Sequence, residues 1–194
     1  MNRQLLRDSI LKFSHLSDDD LSALMSVASY KEFPKGAAVL KEGDVCRLLY
    51  FVEEGYLRTY YNKDGATINL NFTLEGDFTT NLQSAKSQQP SKLTIEAGED
   101  VRLWVFETDK FETNFGKNQE VERFLRKLFV RLLLVSEEYS NLYKILTPAE
   151  RYKYVEQNNP ILLQRISLSQ MASYIGVSRE TLSRIRGRNS DNSL

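Results

Sequence analysis

Arg179, Glu180, Ser183 and Arg184, with Arg186 and Arg188 behind them, are the side chains here whose types and spacing could do recognition chemistry. A guanidinium pairs with O6 and N7 of guanine, and a carboxylate accepts from N4 of cytosine. A helix in the major groove reads base edges from its N-terminal turns, where Arg179, Glu180 and Ser183 fall. An Arg nearer the helix end would meet phosphate instead. Ser178 completes the expected DNA-binding set as the residue that caps this helix. The competing reading is a helical hairpin with a solvated basic face.

The elements needed to present such a face are also written here. Ser167 or Ser169 can cap a preceding helix, on which Met171 and Ile175 share one side. Ala172 lets a second helix cross closely. Gly176 follows where positive φ is needed, and Val177 plugs the corner. Leu182 and Ile185 form the inward pair of the second helix. A small residue, a glycine, a corner residue and an Arg-Glu pair in this order favour a DNA-reading helix-turn-helix.

The whole chain balances 26 Lys and Arg against 26 Asp and Glu, which at first argues against nucleic acid. The charge is uneven, however: residues 161–190 hold five arginines and one acid, so a basic tip remains. One cysteine, Cys46, and one histidine, His15, exclude an internal disulfide and, within one chain, a Cys/His zinc site or cysteine-held iron–sulfur cluster. No metal or other cofactor is expected. There is no nucleophile–base pair, P-loop or dinucleotide fingerprint, so an enzyme is not expected. Neither a signal peptide nor an apolar membrane span is legible, which makes the expected location cytoplasmic, with no membrane partner.

Residues 2–30 read as short helices. Leu5, Leu6, Ile10 and Phe13 mark one face, and Leu21, Leu24, Met25 and Ala28 mark a second behind the Ser17 cap. From Tyr30 the period becomes strand-like, punctuated at Pro34–Gly36, Glu42–Asp44, Glu53–Gly55 and the hairpin signal Asn62–Gly65. Residues 79–92 are polar and suggest no element. Strands resume at 93–97 and 101–106, implying a closed sandwich or barrel. A short helix from Thr108 precedes a long one. Val121, Leu125, Leu128, Leu132, Val135, Tyr139 and Leu142 step by fours and threes as an a/d seam, the expected homodimer interface; the competing reading is one amphipathic helix buried inside a monomer. Thr147-Pro148 ends it, a helix spans 149–157, and 158–160 reads as a loop.

This arrangement resembles the family of cyclic-AMP receptor and fumarate–nitrate (Crp/Fnr) regulators over nearly the whole chain. The segment Val39-Leu-Lys-Glu-Gly-Asp-Val-Cys-Arg-Leu-Leu-Tyr-Phe-Val-Glu-Glu-Gly55 looks like the first signature of cyclic-nucleotide-binding domains, and Ser178-Arg-Glu-Thr-Leu-Ser-Arg184 resembles the family's recognition helix. The resemblance implies an α+β chain. Residues 1–116 would be a cyclic-nucleotide-binding-like β-roll, 117–146 a dimerisation helix and 147–194 a wingless helix-turn-helix. It implies double-stranded palindromic DNA and a second copy of the chain as partners, with RNA polymerase and a small effector as further candidates. A ligand-binding module whose helix-turn-helix serves protein contacts is the alternative.

The resemblance weakens at the effector pocket. Cyclic-AMP binders in the family use Gly-Glu for the ribose and an Arg for the cyclic phosphate. The matching pair is Gly76-Asp77, followed by Phe78, and the Arg position falls at Ser91. Lys92 is adjacent, but strand neighbours point to opposite faces. The family's adenine-contacting Thr-Ser pair corresponds to Val135-Ser136. The expected pocket is therefore Gly76, Asp77, Phe78, Ser91, Lys92, Thr94, Val135 and Ser136, and three departures within it speak against cyclic AMP as the effector.

Overall fold

The computed structural model describes residues 3–191, which divide into two compact units. One comprises the described residues up to 59 together with 72–134, the other 60–71 together with the described residues from 135 onward.

The first unit opens with α1 (Arg3–Leu11) and α2 (Asp18–Ser26). Ser17 caps α2, its hydroxyl accepting the Asp20 N–H at 3.1 Å, and three aspartates in the first turn complement the helix dipole. Ala28, expected to continue that helix, instead begins β1 (Ala28–Phe33), because Val27 already closes α2. The strands β2 (Ala38–Leu40), β3 (Leu48–Glu54), β4 (Leu57–Lys63), β5 (Ala66–Thr73), β6 (Phe78–Thr79), β7 (Thr94–Ala97) and β8 (Val101–Glu107) complete two four-stranded sheets, ordered β1-β8-β3-β6 and β2-β7-β4-β5.

The apolar run at the start of β3 follows from its burial on both sides. Leu49 and Phe51 face a cluster with Leu6, Ile10, Leu21, Leu24, Phe78 and Phe106. Tyr50 and Val52 face another with Leu57, Ile95, Leu103 and Val105. Glu53 ends the run as a buried carboxylate, accepting from Trp104 Nε1 at 2.5 Å and from the Tyr30 hydroxyl at 2.9 Å. The hydrogen bonds from neutral donors offset its desolvation.

Residues 79–92 differ from expectation. They contain α3 (Leu82–Ser87), whose N-cap Asn81 accepts the Ser84 N–H and whose C-cap Gln88 is left-handed at φ 54°. Six residues are too few to show a helical period, so only the cap could have revealed it. After β8 come α4 (Thr108–Phe115) and α5 (Gln119–Ile145), a helix of 27 residues. Val121, Phe124 and Leu128 bury the first turns of α5 in the core. Full burial of each such side chain contributes about 1.5–3 kcal/mol.

The second unit contains the hairpin residues 60–71 and the rest of α5. It continues with α6 (Pro148–Asn158), α7 (Pro160–Arg165), α8 (Leu168–Ile175) and α9 (Arg179–Asp191). Thr147 and Glu150 form a capping box on α6, and Pro148 sits where its missing N–H costs nothing. The expected loop at 158–160 shrinks to Asn159, since Pro160 starts α7. Among the described residues no helix is long and apolar enough to cross a membrane.

Candidate nucleic-acid interface and effector pocket

α8 is capped by Ser167, which forms a box with Gln170, and ends at Gly176 with φ 73° and ψ 41°. Val177 N–H returns to Ala172 O at 2.9 Å, closing the turn. Ser178 caps α9, its hydroxyl accepting the Thr181 N–H at 3.2 Å. Met171, Ala172, Ile175 and Leu182 are buried between the two helices and their neighbours. Arg179, Glu180, Ser183, Arg184 and Arg186 are exposed, as is Ser178. The structure therefore brings these expected residues together on the outward side of α9. The Arg188 side chain lies outside the described residues. The Glu180 carboxyl is held below the usual range, first by its own backbone N–H, then by the Ser178 hydroxyl, with Arg179 and Arg184 adding to the effect. It is a charged acceptor at neutral pH, as a contact to a base amine requires.

Of the expected pocket residues, Gly76, Asp77, Phe78, Ser91, Lys92 and Thr94 fall in the first unit, and Val135 and Ser136 in the second. Gly76, at φ 84°, donates to Val52 O, and Asp77 O accepts from Val52 N–H. Desolvation raises the Asp77 carboxyl, with Arg131 and Lys12 opposing the shift. Phe78 is a core residue, packed against Phe51, Phe106 and Phe124.

Ser91 is 3% exposed and committed to the framework. Its hydroxyl donates to Leu93 O at 2.7 Å and accepts from Asn81 Nδ2 at 2.7 Å and Leu93 N–H at 3.0 Å. A hydroxyl has one proton, so none remains for a phosphate. Thr94 Oγ1 accepts the Glu42 N–H, and Lys92 is exposed. A separate open cleft of about 640 Å³, lined by Asp44, Arg47, Tyr50, Glu107 and Asp109 among others, shares none of these residues.

The expected dimer seam is partly used inside the chain. Val121 and Leu128 are 0% and 1% exposed, and Leu125 and Leu132 pack against the same core. Val121 and Leu128 thus have no surface to offer a second copy. Val135, Tyr139 and Leu142 are half-buried. The uncovered apolar side chains of α5 are Val130, Leu133 and Leu134, each about half exposed, and Ile145 at 75%. A strict a/d period shows that one stripe is apolar. It does not show whether the chain's own sheet or another helix covers that stripe.

Residues 30–118 match the cyclic nucleotide-binding domain family. Among solved structures, the chain resembles the c-di-GMP-responsive global regulator CLP of Xanthomonas campestris (17% identity, 92% of this chain and 94% of that one, TM-score 0.72). It also resembles FixK2 of Bradyrhizobium japonicum (22% identity, 86% of each chain, TM-score 0.74). A third match is a protein from Eubacterium rectale assigned to the Crp/Fnr transcriptional regulators (20% identity, 88% and 82%, TM-score 0.66). The chain has the Crp/Fnr fold.

Within this fold, sequence reasoning missed a polar cluster in the second unit. Asn69 is 1% exposed, and its backbone meets Ser173 and Tyr139. Tyr139 stacks on Tyr174 with centroids 5.1 Å apart, and the Tyr143 hydroxyl donates to Tyr174 O. Arg151 lies 4.4 Å over the Tyr143 ring and donates to Ile175 O, gripping the C-terminal end of α8. Along β5 the alternation sets Ile68, Leu70 and Phe72 on one side and Asn69 on the other, and nothing in it marks Asn69 as buried. Its one signal was an amide in the middle of a strand.

Proposed function

We propose that this protein is a homodimeric, sequence-specific DNA-binding transcription regulator. The observation that carries the reading is the capped, exposed N-terminal face of α9, where Arg179, Glu180, Ser183 and Arg184 stand together above a buried Leu182. Residues 1–116 act as the sensor, 117–146 as the dimerisation helix and 147–194 as the DNA-binding part. Two copies associate through α5, with Val130, Leu133 and Leu134 as the contact that the chain leaves open. Their recognition helices then enter successive major grooves about 34 Å apart on a palindrome. The matches to regulators of the same fold support this reading over an enzyme.

The sensor's effector is not cyclic AMP. A cyclic phosphate in a partly buried site needs a charge-assisted donor, and Ser91 has spent its proton within the protein. Selection of randomised duplex DNA by the ligand-free protein tests the function. Recovery of a two-fold symmetric site, with specificity relaxed at one base pair of each half-site by Arg184→Ala, is the expected result. Failure to enrich any sequence, with and without cyclic nucleotides or cell extract, would overturn it.

A further inference from the structure

β5 is the outer strand of its sheet, so among the described residues one side of its backbone has no strand partner. Alternate residues of a strand direct N–H and C=O to the same edge. At Thr67 and Asn69 that edge is taken by side chains of the same compact unit. The Ser173 hydroxyl, on α8, donates to Thr67 O at 2.7 Å and accepts the Asn69 N–H at 3.0 Å. The Tyr139 hydroxyl, on α5, lies 2.9 Å from Asn69 O. Two hydroxyls thus replace a missing strand.

We propose that Ser173 and Tyr139 form a latch that fastens the β4–β5 hairpin to α8, and that closing it prepares α9 for DNA. The proposal rests on the DNA-binding reading above. The latch is small and only partly satisfied, as a reversible contact must be. Asn69 Nδ2 makes a long bond, 3.4 Å to Gln170 O, and Asn69 Oδ1 is buried with no partner among the described residues. The Tyr139 and Tyr143 oxygens are 2.9 Å apart, and Tyr143 donates to Tyr174 O. Tyr139, with one proton, must then choose among Asn69 O, the Tyr143 hydroxyl and Tyr174 O at 3.2 Å. Opening would hydrate Asn69 Oδ1 and relieve that competition, while closing holds α8 and, through the Gly176 turn, α9. Ser173 and Tyr139 are positioning residues in this scheme. Neither would touch DNA.

The test uses the full-length protein and compares wild type with Ser173→Ala, Ser173→Thr and Tyr139→Phe. Amide hydrogen exchange is read in peptides covering 60–71 and 168–176, and affinity for the selected duplex is read by fluorescence anisotropy. A lost hydrogen bond of ordinary strength predicts a roughly tenfold rise in hairpin exchange for Ser173→Ala and Tyr139→Phe. DNA binding should weaken three- to tenfold in both, by roughly this same coupling. Ser173→Thr, which keeps the hydroxyl, should restore both readouts. Unchanged hairpin exchange would overturn the latch. Raised exchange with unchanged or tighter DNA binding would overturn its role in preparing α9. If the wild type binds no duplex, the DNA-binding reading fails along with that role, while the exchange data still decide whether the latch exists.

Discussion

Replacing Gly176 by alanine should be among the most damaging single-methyl additions in the C-terminal unit. Two costs combine. The backbone there is left-handed, at φ 73°, which costs an L-residue about 1–2 kcal/mol. The added Cβ would also lie 2.7 Å from Tyr143 Cε1 and 3.1 Å from Arg151 Nη1. Neither neighbour can retreat cheaply. Tyr143 is hydrogen-bonded to Tyr174 O, and Arg151 is tied to Ile175 O and Leu146 O. Overpacking of that kind costs about 1–3 kcal/mol. The sum, about 2–5 kcal/mol, corresponds to a fall in Tm of roughly 5–20 °C for a chain of this length. Gly43 provides the control. It has φ 91°, but a Cβ there meets nothing within 4 Å, so Gly43→Ala should carry the backbone cost alone. Thermal and urea melts followed by circular dichroism measure both. If Gly176→Ala is no more destabilising than Gly43→Ala, the argument that Tyr143 and Arg151 form a rigid wall behind the turn is wrong.

Three further expectations follow from the same geometry. Arg184→Ala should cost about 1–3 kcal/mol on the selected duplex and relax specificity at one base pair, whereas Arg186→Ala should lower the salt slope by about 1 without changing sequence preference, both read by titrations at several salt concentrations. Leu133→Asp places a charge on the open face of α5 and should shift sedimentation from dimer to monomer, while leaving the melting of the first unit unchanged; a persistent dimer would relocate the interface. Burial, followed by the hydrogen bond and charge of Glu53, pushes the Tyr30 hydroxyl up from 10.0 to about 12, and burial also raises Tyr50, Tyr139, Tyr143 and Tyr174. The folded state therefore favours the protonated phenols: their contribution to stability should be complete below about pH 10 and lost as pH rises through about 12 for Tyr30, so urea midpoints should fall across that window, less steeply in Tyr30→Phe.

What the sequence disclosed were features with a local cause. Ser17, Ser167 and Ser178 all cap helices because a short hydroxyl answers orphan N–H groups within three residues. Gly176 lies in the left-handed region that its type and place in the pattern anticipated. The outward set on α9 followed from helical spacing alone. The features that stayed hidden depend on distant partners. Ser91 could have been a ligand contact or a framework bond, and Asn81 Nδ2 makes it the latter. Val121 and Leu128 could have faced a second copy or the sheet, and Phe78 and Phe124 sit on the sheet side of that choice. Asn69 gave no sign of its partners, which are supplied by residues 70 and 104 positions away.

That long separation has a consequence for biosynthesis. At about 5–20 residues per second, the chain between Asn69 and Ser173 takes roughly 5–20 seconds to emerge. During that interval the nascent hairpin presents an uncapped strand edge, a template for pairing with another nascent chain. The charged tip Lys63-Asp64 and the left-handed turn at Asp64-Gly65 restrict how closely such a chain can align. Even so, a message truncated before α8 leaves the edge uncovered for good. Its product should clump on ribosome release, in contrast to a full-length chain whose last helices arrive in time to seal it.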